Sequence, residues 1–393
     1  MTRNLERYVG HIRSIRLQAR HERYAWAGCA VVALGLALVS ELGPHRAWGA
    51  VAGTGYAVAA LLACGERSRP AARVVASAGA VVVPLVSSVA AGTGQLEVAV
   101  VERSGRLLLT TGSPYVSDPT AVGDFNPYLP GTALFGALPG DPRWWLGGVF
   151  VAALAAAGLH RVGLLACPLI ALPFAVGGTD LPVAGLMCLG IVLAGRGRPG
   201  RAGLVLGAAA ALKWTAWPAL PVALALLAAG RGGGRSVPRY AAAALSTAAV
   251  AVLPIALSDP SGLYRNAVAF PLGLTGTASP AASPLPGRLL AEHVPGGTSI
   301  ALALLVVSAL FMAVSLVVRP PATTRSAAAR LALGLGLAMS LMPSTRFGYL
   351  VYPLTLGALA YATRGRRSTT KDAPATPITP ITPITASQEV TAV

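Results

Sequence analysis

The chain has 393 residues, is 54% hydrophobic and only 11% charged, and carries a formal net charge of +17. Soluble domains carry about 25% charged residues and lack recurring apolar runs of about twenty, so this composition excludes a soluble protein and predicts an all-α, polytopic membrane bundle. The positive charge is that of basic loops on the cytoplasmic side of a membrane. No stretch interleaves basic and aromatic residues, which excludes a nucleic-acid partner.

Residues 1–23 carry Arg3, Arg7, Arg13, Arg16, Arg20 and Arg23 and read as a basic cytoplasmic leader. No cleavable signal sequence is expected, because this stretch is too polar and the next apolar run lacks a small-residue cleavage site. About twelve spans follow within 24–363, at about 24–41, 47–64, 74–92, 144–160, 162–177, 181–195, 202–214, 217–230, 240–257, 298–317, 328–342 and 350–363. The 202–214 and 217–230 runs are short, as expected of helices that are tilted or sunk into the protein. Two long polar loops interrupt the series, at about 93–143 and 258–297. The tail 364–393 ends in a Pro-spaced TPITPITPIT repeat that cannot hold a helix, and it is expected to be disordered and cytoplasmic.

The connections at 65–73, 195–201, 231–239 and 319–325 are basic and therefore face the cytoplasm, which places both long loops outside and both termini inside. Along these boundaries nine of the fourteen acids fall outside: Glu41, Glu97, Glu102, Asp118, Asp124, Asp141, Asp180, Asp259 and Glu292. Orientation does not depend on acids, so their clustering calls for a polar, acid-lined outer rim. Trp144 and Trp145 sit where an interfacial belt would place them. The four cysteines, Cys29, Cys64, Cys167 and Cys188, lack metal-ligand spacing and read as packing residues, so neither a metal nor another cofactor is expected.

Three residue groups on this rim can carry chemistry. An ionisable residue near membrane depth is a functional candidate by default. Lys213, between AAAAL and WTAWPALP, either snorkels to the headgroups or binds a phosphate. Glu97, one turn past the third span, is placed to act as a general base at the membrane boundary, with Asp118 and Asp124 as alternatives. Glu102 reads as a helix charge pairing locally with Arg103 or Arg106. The stretch GSPYVSDPTAVGDFNPYLPG (112–131) is rich in Pro, Gly and Asx and predicts a rigid, non-helical wall after a short helix.

An acid soon after a span, then Gly112-Ser113-Pro114-Tyr115 and Asn126-Pro127-Tyr128-Leu129-Pro130, resembles the integral-membrane glycosyltransferases of the GT-C type. The nearest likeness is to glycosyltransferase family 87, the actinobacterial polyprenol-phosphate-mannose-dependent mannosyltransferases. The stretch 177–227, with Asp180 and LKWTAWPALP, resembles that family's later hairpin, so the likeness covers roughly 95–230. Here Glu stands where the family usually has Asp, and PYLP replaces YPP. The resemblance implies a GT-C-like fold, a polyprenol-phosphate sugar donor, and a glycolipid or other cell-envelope acceptor. It also implies an inverting displacement with Glu97 as base and Lys213 on the donor phosphate. Arg346 and Arg265 join the phosphate-binding set, and Glu102, Tyr115, Asp118, Asp124, Asn126, Tyr128, Asp180 and Trp214 line the rim. A transporter or flippase is the alternative. It would place charges at span centres and repeat its halves, whereas the acids here lie at one rim and no repeat is visible.

Overall fold

The computed structural model describes residues 2–365 except 66, 160–161, 231–232, 278–279 and 282, with side chains from residue 21 onward save 162 and 365. The expected disordered tail from 366 onward, the leader side chains up to Arg20 and the His160–Arg161 turn lie outside these, while the leader's backbone is helical. The fold is all-helical, with no strand among the described residues.

The helices of two turns or more are α1 (Thr2–Val39), α2 (Gly43–Leu62), α3 (Arg69–Ala90), α4 (Leu96–Thr111), α5 (Pro142–Ala157), α6 (Pro168–Val176) and α7 (Asp180–Gly195). They continue as α8 (Pro199–Leu212), α9 (Ala219–Ala228), α10 (Gly233–Ser258), α11 (Pro286–His293), α12 (Gly297–Val318), α13 (Thr324–Leu341) and α14 (Val351–Ala362). Proline shapes several of them. Pro168 starts α6 after a break from the turn of helix Val162–Leu165. In α3 a π turn at Ala78–Val82 precedes Pro84, widening the helix where proline cannot donate to the ladder.

Every expected span has a helix, but only four among the described residues are long and apolar enough to cross a membrane: His21–Val39, α3, α10 and α12. Expecting about twelve therefore overstates what length and composition support. The apolar helices Asp180–Gly195, Pro199–Leu212, Trp214–Ala228 and Phe347–Ala362 are shorter. At 1.5 Å per residue, a helix of α7's length covers roughly 24 Å of a hydrocarbon layer about 30 Å thick. The burial pattern explains the difference. Helix α7 is apolar all round because it is the centre of the bundle, packed by α5, α8, α9, α13 and α14, with Leu181, Met187, Cys188 and Ile191 enclosed. Helices α10 and α12 are apolar for the opposite reason: Leu245, Val250 and Leu257 of one, and Val307, Leu310 and Phe311 of the other, are exposed.

Small residues set the close crossings. Gly203 and Gly207, one turn apart on α8, face the Tyr240–Ala244 stretch of α10, where an added Cβ would meet backbone. In the first long loop, α4 crosses the short helix Ala133–Ala137 through Gly105 on Gly136, and it ends at Gly112 with φ 78°. The expected helix-then-wall division of this loop is present, apart from 3₁₀ turns at Val122–Asp124 and Pro130–Thr132.

The wall is held from two sides. Leu129 N and Thr132 Oγ1 donate to the Leu212 carbonyl at the end of α8, at 3.0 and 2.8 Å. The second long loop covers the other side. Ser113 Oγ donates to Asp259 at 2.5 Å, Asn126 N to Asn266 Oδ1 at 2.9 Å, and Phe125 stacks on Phe270 at 4.3 Å. Both long loops thus lie at one end of the bundle, together with the head of α7.

Candidate active site

Two of the carboxylate–cation pairs at that end bear on the site. The first is at the head of α7. Gly177, at φ 114°, ends α6 and turns the chain in three residues to Asp180 in the first turn of α7. Asp180 Oδ1 accepts from Lys213 Nζ and from the Tyr352 hydroxyl, each at 2.5 Å, and Tyr352 accepts from Thr215 Oγ1 at 2.7 Å. Lys213 closes α8 in an extended conformation, which aims its chain inward. Its ammonium lies 4.8 Å from the Tyr349 ring centre and 5.4 Å from that of Tyr128, so two aromatic faces complete its shell. Lys213 therefore does not snorkel in this structure; its ammonium is largely enclosed and paired. A buried pair is tolerated only when its remaining lone pairs and protons are satisfied, and here Tyr352 and the rings do that.

The second pair joins Glu97, in the first turn of α4, to Arg346 Nη1. The second loop fixes the backbone around Arg346. Thr345 N donates to Ala281 O at 3.1 Å, Ser283 N to Thr345 O at 2.9 Å, and Phe347 N to Ser283 Oγ at 3.0 Å. Gln95 N donates to Val176 O at 3.0 Å, which anchors the start of α4 to the end of α6. The Gln95 side-chain amide meets His45 Nε2 at the start of α2. Burial, and after it the Arg346 charge, holds the His45 imidazole below its ordinary value of 6.5.

The two pairs share supports. Tyr349, which faces Lys213, is one 3₁₀ turn from Arg346 and donates its N–H to the Arg346 carbonyl at 3.0 Å. The Gln95–Val176 bond ties Glu97's helix to the turn that presents Asp180. Of the residues singled out in the sequence, Glu97, Tyr128, Asp180, Lys213 and Arg346 belong to these two connected clusters.

The others lie apart or serve the wall. Arg265 Nη1 reaches Asp118 Oδ1 and Ser117 O at 3.2 Å on an exposed surface. Asp124 accepts from Ala121 N at 2.8 Å and Thr120 N at 3.2 Å, and these bonds hold its carboxyl below the usual range, so it caps its own turn. Tyr115 donates to the Tyr128 carbonyl at 3.0 Å, and Asn126 Oδ1 accepts from Tyr128 N at 3.1 Å. Trp214 Nε1 donates to Ala267 O at 2.8 Å. The local pairing expected for Glu102 does not form: Arg103 instead donates to the carbonyls of Gly123 and Asp124, at 2.6 and 3.0 Å, tying helix to wall.

Sequence reasoning missed Tyr352, Thr215, Tyr349 and His45. The only hint for the tyrosines was their three-residue spacing from Arg346; Tyr349 lies in the 3₁₀ turn Phe347–Leu350 and Tyr352 in α14. His45 gave no hint. Arg143 was also missed. It is buried and clamped by Asp141, with Nη1 donating to Thr93 O at 2.7 Å and to Ala175 O at 3.3 Å. No group of His, Cys, Asp or Glu suited to a metal ion occurs among the described residues. The site's own means are thus a carboxylate beside a partly open guanidinium, next to a closed carboxylate–ammonium pair.

The chain is similar to glycosyltransferase family 87, whose family model matches residues 157–345. No curated protein and no solved structure matches it. That family is one of glycosyltransferases, and four helices among the described residues are long and apolar enough to cross a membrane. The matched region extends well beyond the 230 expected and holds Asp180, Lys213, Trp214 and Arg265. Glu97 and the GSPY and NPYLP elements precede it.

Proposed function

We propose that this protein is a multi-pass membrane glycosyltransferase that moves a sugar, mannose or another hexose or pentose, from a polyprenol-phosphate donor to a glycolipid or other cell-envelope acceptor. The site faces outside the cell membrane, with the 1–23 leader and the 364–393 tail in the cytoplasm and the bundle spanning 24–363. The single observation that carries this reading is the convergence of a carboxylate with a partly exposed guanidinium at the loop end of the bundle, beside the head of α7 within the family match.

The step is an inverting displacement. The acceptor hydroxyl oxygen bonds to the anomeric carbon while its proton passes to the Glu97 carboxylate. The bond from that carbon to the phosphate oxygen breaks, and its electron pair leaves with the polyprenyl phosphate. Arg346 stabilises the charge that collects there, Lys213 adds its positive field from within its closed pair, and Arg265, farther out on the exposed surface, helps attract the donor. Asp180 and Tyr352 hold Lys213, and Tyr128 shapes the wall beside it.

The test is transfer of a labelled sugar from polyprenyl-phosphate donor in proteoliposomes. Glu97→Gln is expected to insert and bind donor but to lose turnover by roughly 10²–10⁴-fold, because an amide cannot take the proton. Normal turnover in that variant would remove Glu97 from the role. Uptake of labelled solute without a covalent product would point to a transporter instead.

A further inference from the structure

Glu97 and Arg346, the base and a phosphate ligand of the reaction proposed above, occupy each other in this structure. We propose that they exchange partners: the donor's phosphate draws the Arg346 guanidinium away from Glu97, so the carboxylate is released for base catalysis only once a donor is in place. The inference rests on the transferase reading and adds a donor-dependent control of its base.

Three observations carry it. The Arg346 side chain is 31% exposed and Glu97 15%, so an anion can approach the guanidinium from the open side. Arg346 meets Glu97 through Nη1, and a guanidinium has five N–H donors, so it can take up a phosphate before it leaves the carboxylate. Its backbone is fixed by the bonds of Thr345 and Phe347 to the second loop, so exchange requires only the long side chain to move. Lys213 cannot play this part, since its ammonium is closed in by Asp180, Tyr128 and Tyr349.

The charge balance drives the exchange in the direction of reaction. A sugar phosphodiester carries one negative charge. The polyprenyl monophosphate that leaves approaches two, because its second pKa is about 6. The pull on Arg346 therefore grows as the sugar–phosphate bond breaks, and an interaction that strengthens toward the transition state speeds the step. Glu97, left in the first turn of α4, keeps the helix N-terminus to hold its charge until the acceptor's proton arrives.

The experiment labels carboxyls of the full chain in phosphatidylcholine proteoliposomes with a hydrophobic carbodiimide, which reacts with the protonated acid, and reads Glu97 against Glu102 by peptide mass spectrometry. A cation beside a carboxylate favours its charged form, and losing that cation favours protonation. Sugar-free polyprenyl monophosphate is therefore expected to raise Glu97 labelling severalfold. A rise confined to it assigns the exchange to the lipid phosphate. An equal rise with phosphatidylglycerol or inorganic phosphate supports the exchange with any phosphate anion as trigger. Unchanged or reduced labelling with polyprenyl monophosphate overturns it.

Arg346→Gln is expected to label highly without ligand and to respond no further, and a wild-type response from it overturns the part given to Arg346. Should that variant fail to fold, Arg346→Lys keeps the charge and is expected to retain the response, whose loss likewise counts against the exchange. Ligand-dependent labelling in a protein that transfers no sugar would leave the exchange standing and remove the transferase reading. Sugar transfer without a labelling response would remove the exchange alone.

Discussion

The Asp180–Lys213 and Glu97–Arg346 pairs at the loop end are alike in composition and opposite in construction. Asp180 and Lys213 are each about one-eighth exposed, and both have second partners, the Tyr352 hydroxyl for one and two tyrosine rings for the other. Glu97 and Arg346 have each other, and the guanidinium is nearly a third exposed. A closed pair resists exchange with solvent or ligand, so it suits a part that fixes geometry. An open pair gives up its partner at lower cost, so it suits a part that reacts. The difference teaches that the lysine, the more conspicuous residue in the sequence, is the less available one in the fold.

Neutralising one carboxylate from each pair tests this contrast and gives the largest expected effects. Glu97→Gln is expected to lower sugar transfer by roughly 10²–10⁴-fold while leaving the melting temperature in detergent near that of the parent. Asp180→Asn is expected to do the reverse in kind. It strands a buried ammonium at the head of the central helix, which costs about 3–5 kcal/mol and shows as a lowered melting temperature or loss of folded protein. Pairing Asp180→Asn with Lys213→Met removes the stranded charge and is expected to recover most of that stability. Equal stability of the Asp180→Asn variant and the parent would break the contrast.

Much of the helix framework was legible in the sequence, because most of the helices are apolar runs bounded by polar or Pro/Gly turns, unlike α4 and α11. What was not legible is which helices meet lipid. Apolarity on all sides marks both α7, enclosed by protein, and α12, exposed along its length, and composition alone does not separate them. The site was partly legible. Glu97, Lys213, Asp180 and Arg346 stand out as charges at the ends of apolar runs. Their pairing does not, since 249 residues separate Glu97 from Arg346 and only the folded second loop brings them together. Tyr352 was hidden for the opposite reason: a tyrosine in an apolar helix reads as packing until its hydroxyl is seen on Asp180.

A third pair sharpens the closed end of the comparison. Arg143 is buried at the start of α5 and bonded by Asp141 through the side chain and the backbone N–H. Burial pushes the Asp141 carboxyl up, but the Arg143 bonds more than offset it and hold the group below its ordinary 3.8. A depressed carboxyl pKa gives stability that is present above the unfolded value and lost as pH falls through the folded one. Melting temperature is therefore expected to drop as pH falls below about 4, and Asp141→Asn to be less stable at neutral pH by about 1.5–3 kcal/mol and to lose less over the same range. Arg143 keeps the carbonyls of Thr93 and Ala175 in that variant, so the cost is expected to be smaller than for Asp180→Asn.

The smallest expected effect lies at the exposed extreme, Arg265 with Asp118, whose side chains are 43% and 88% exposed. Such a pair contributes less than about 1 kcal/mol and is screened by salt, so neither Arg265→Ala nor Asp118→Ala is expected to move the melting temperature measurably. The two variants should separate in donor kinetics. If Arg265 helps attract the donor phosphate, Arg265→Ala is expected to raise the donor KM with kcat unchanged, an effect that shrinks as salt is added. Asp118→Ala removes the competing carboxylate and is expected to lower the donor KM or leave it as it is. An unchanged donor KM in Arg265→Ala would confine donor-phosphate recognition to the two pairs at the head of α7 and the start of α4. Openness alone would then not qualify a cation for the site; it would also need the fixed backbone that the second loop gives Arg346.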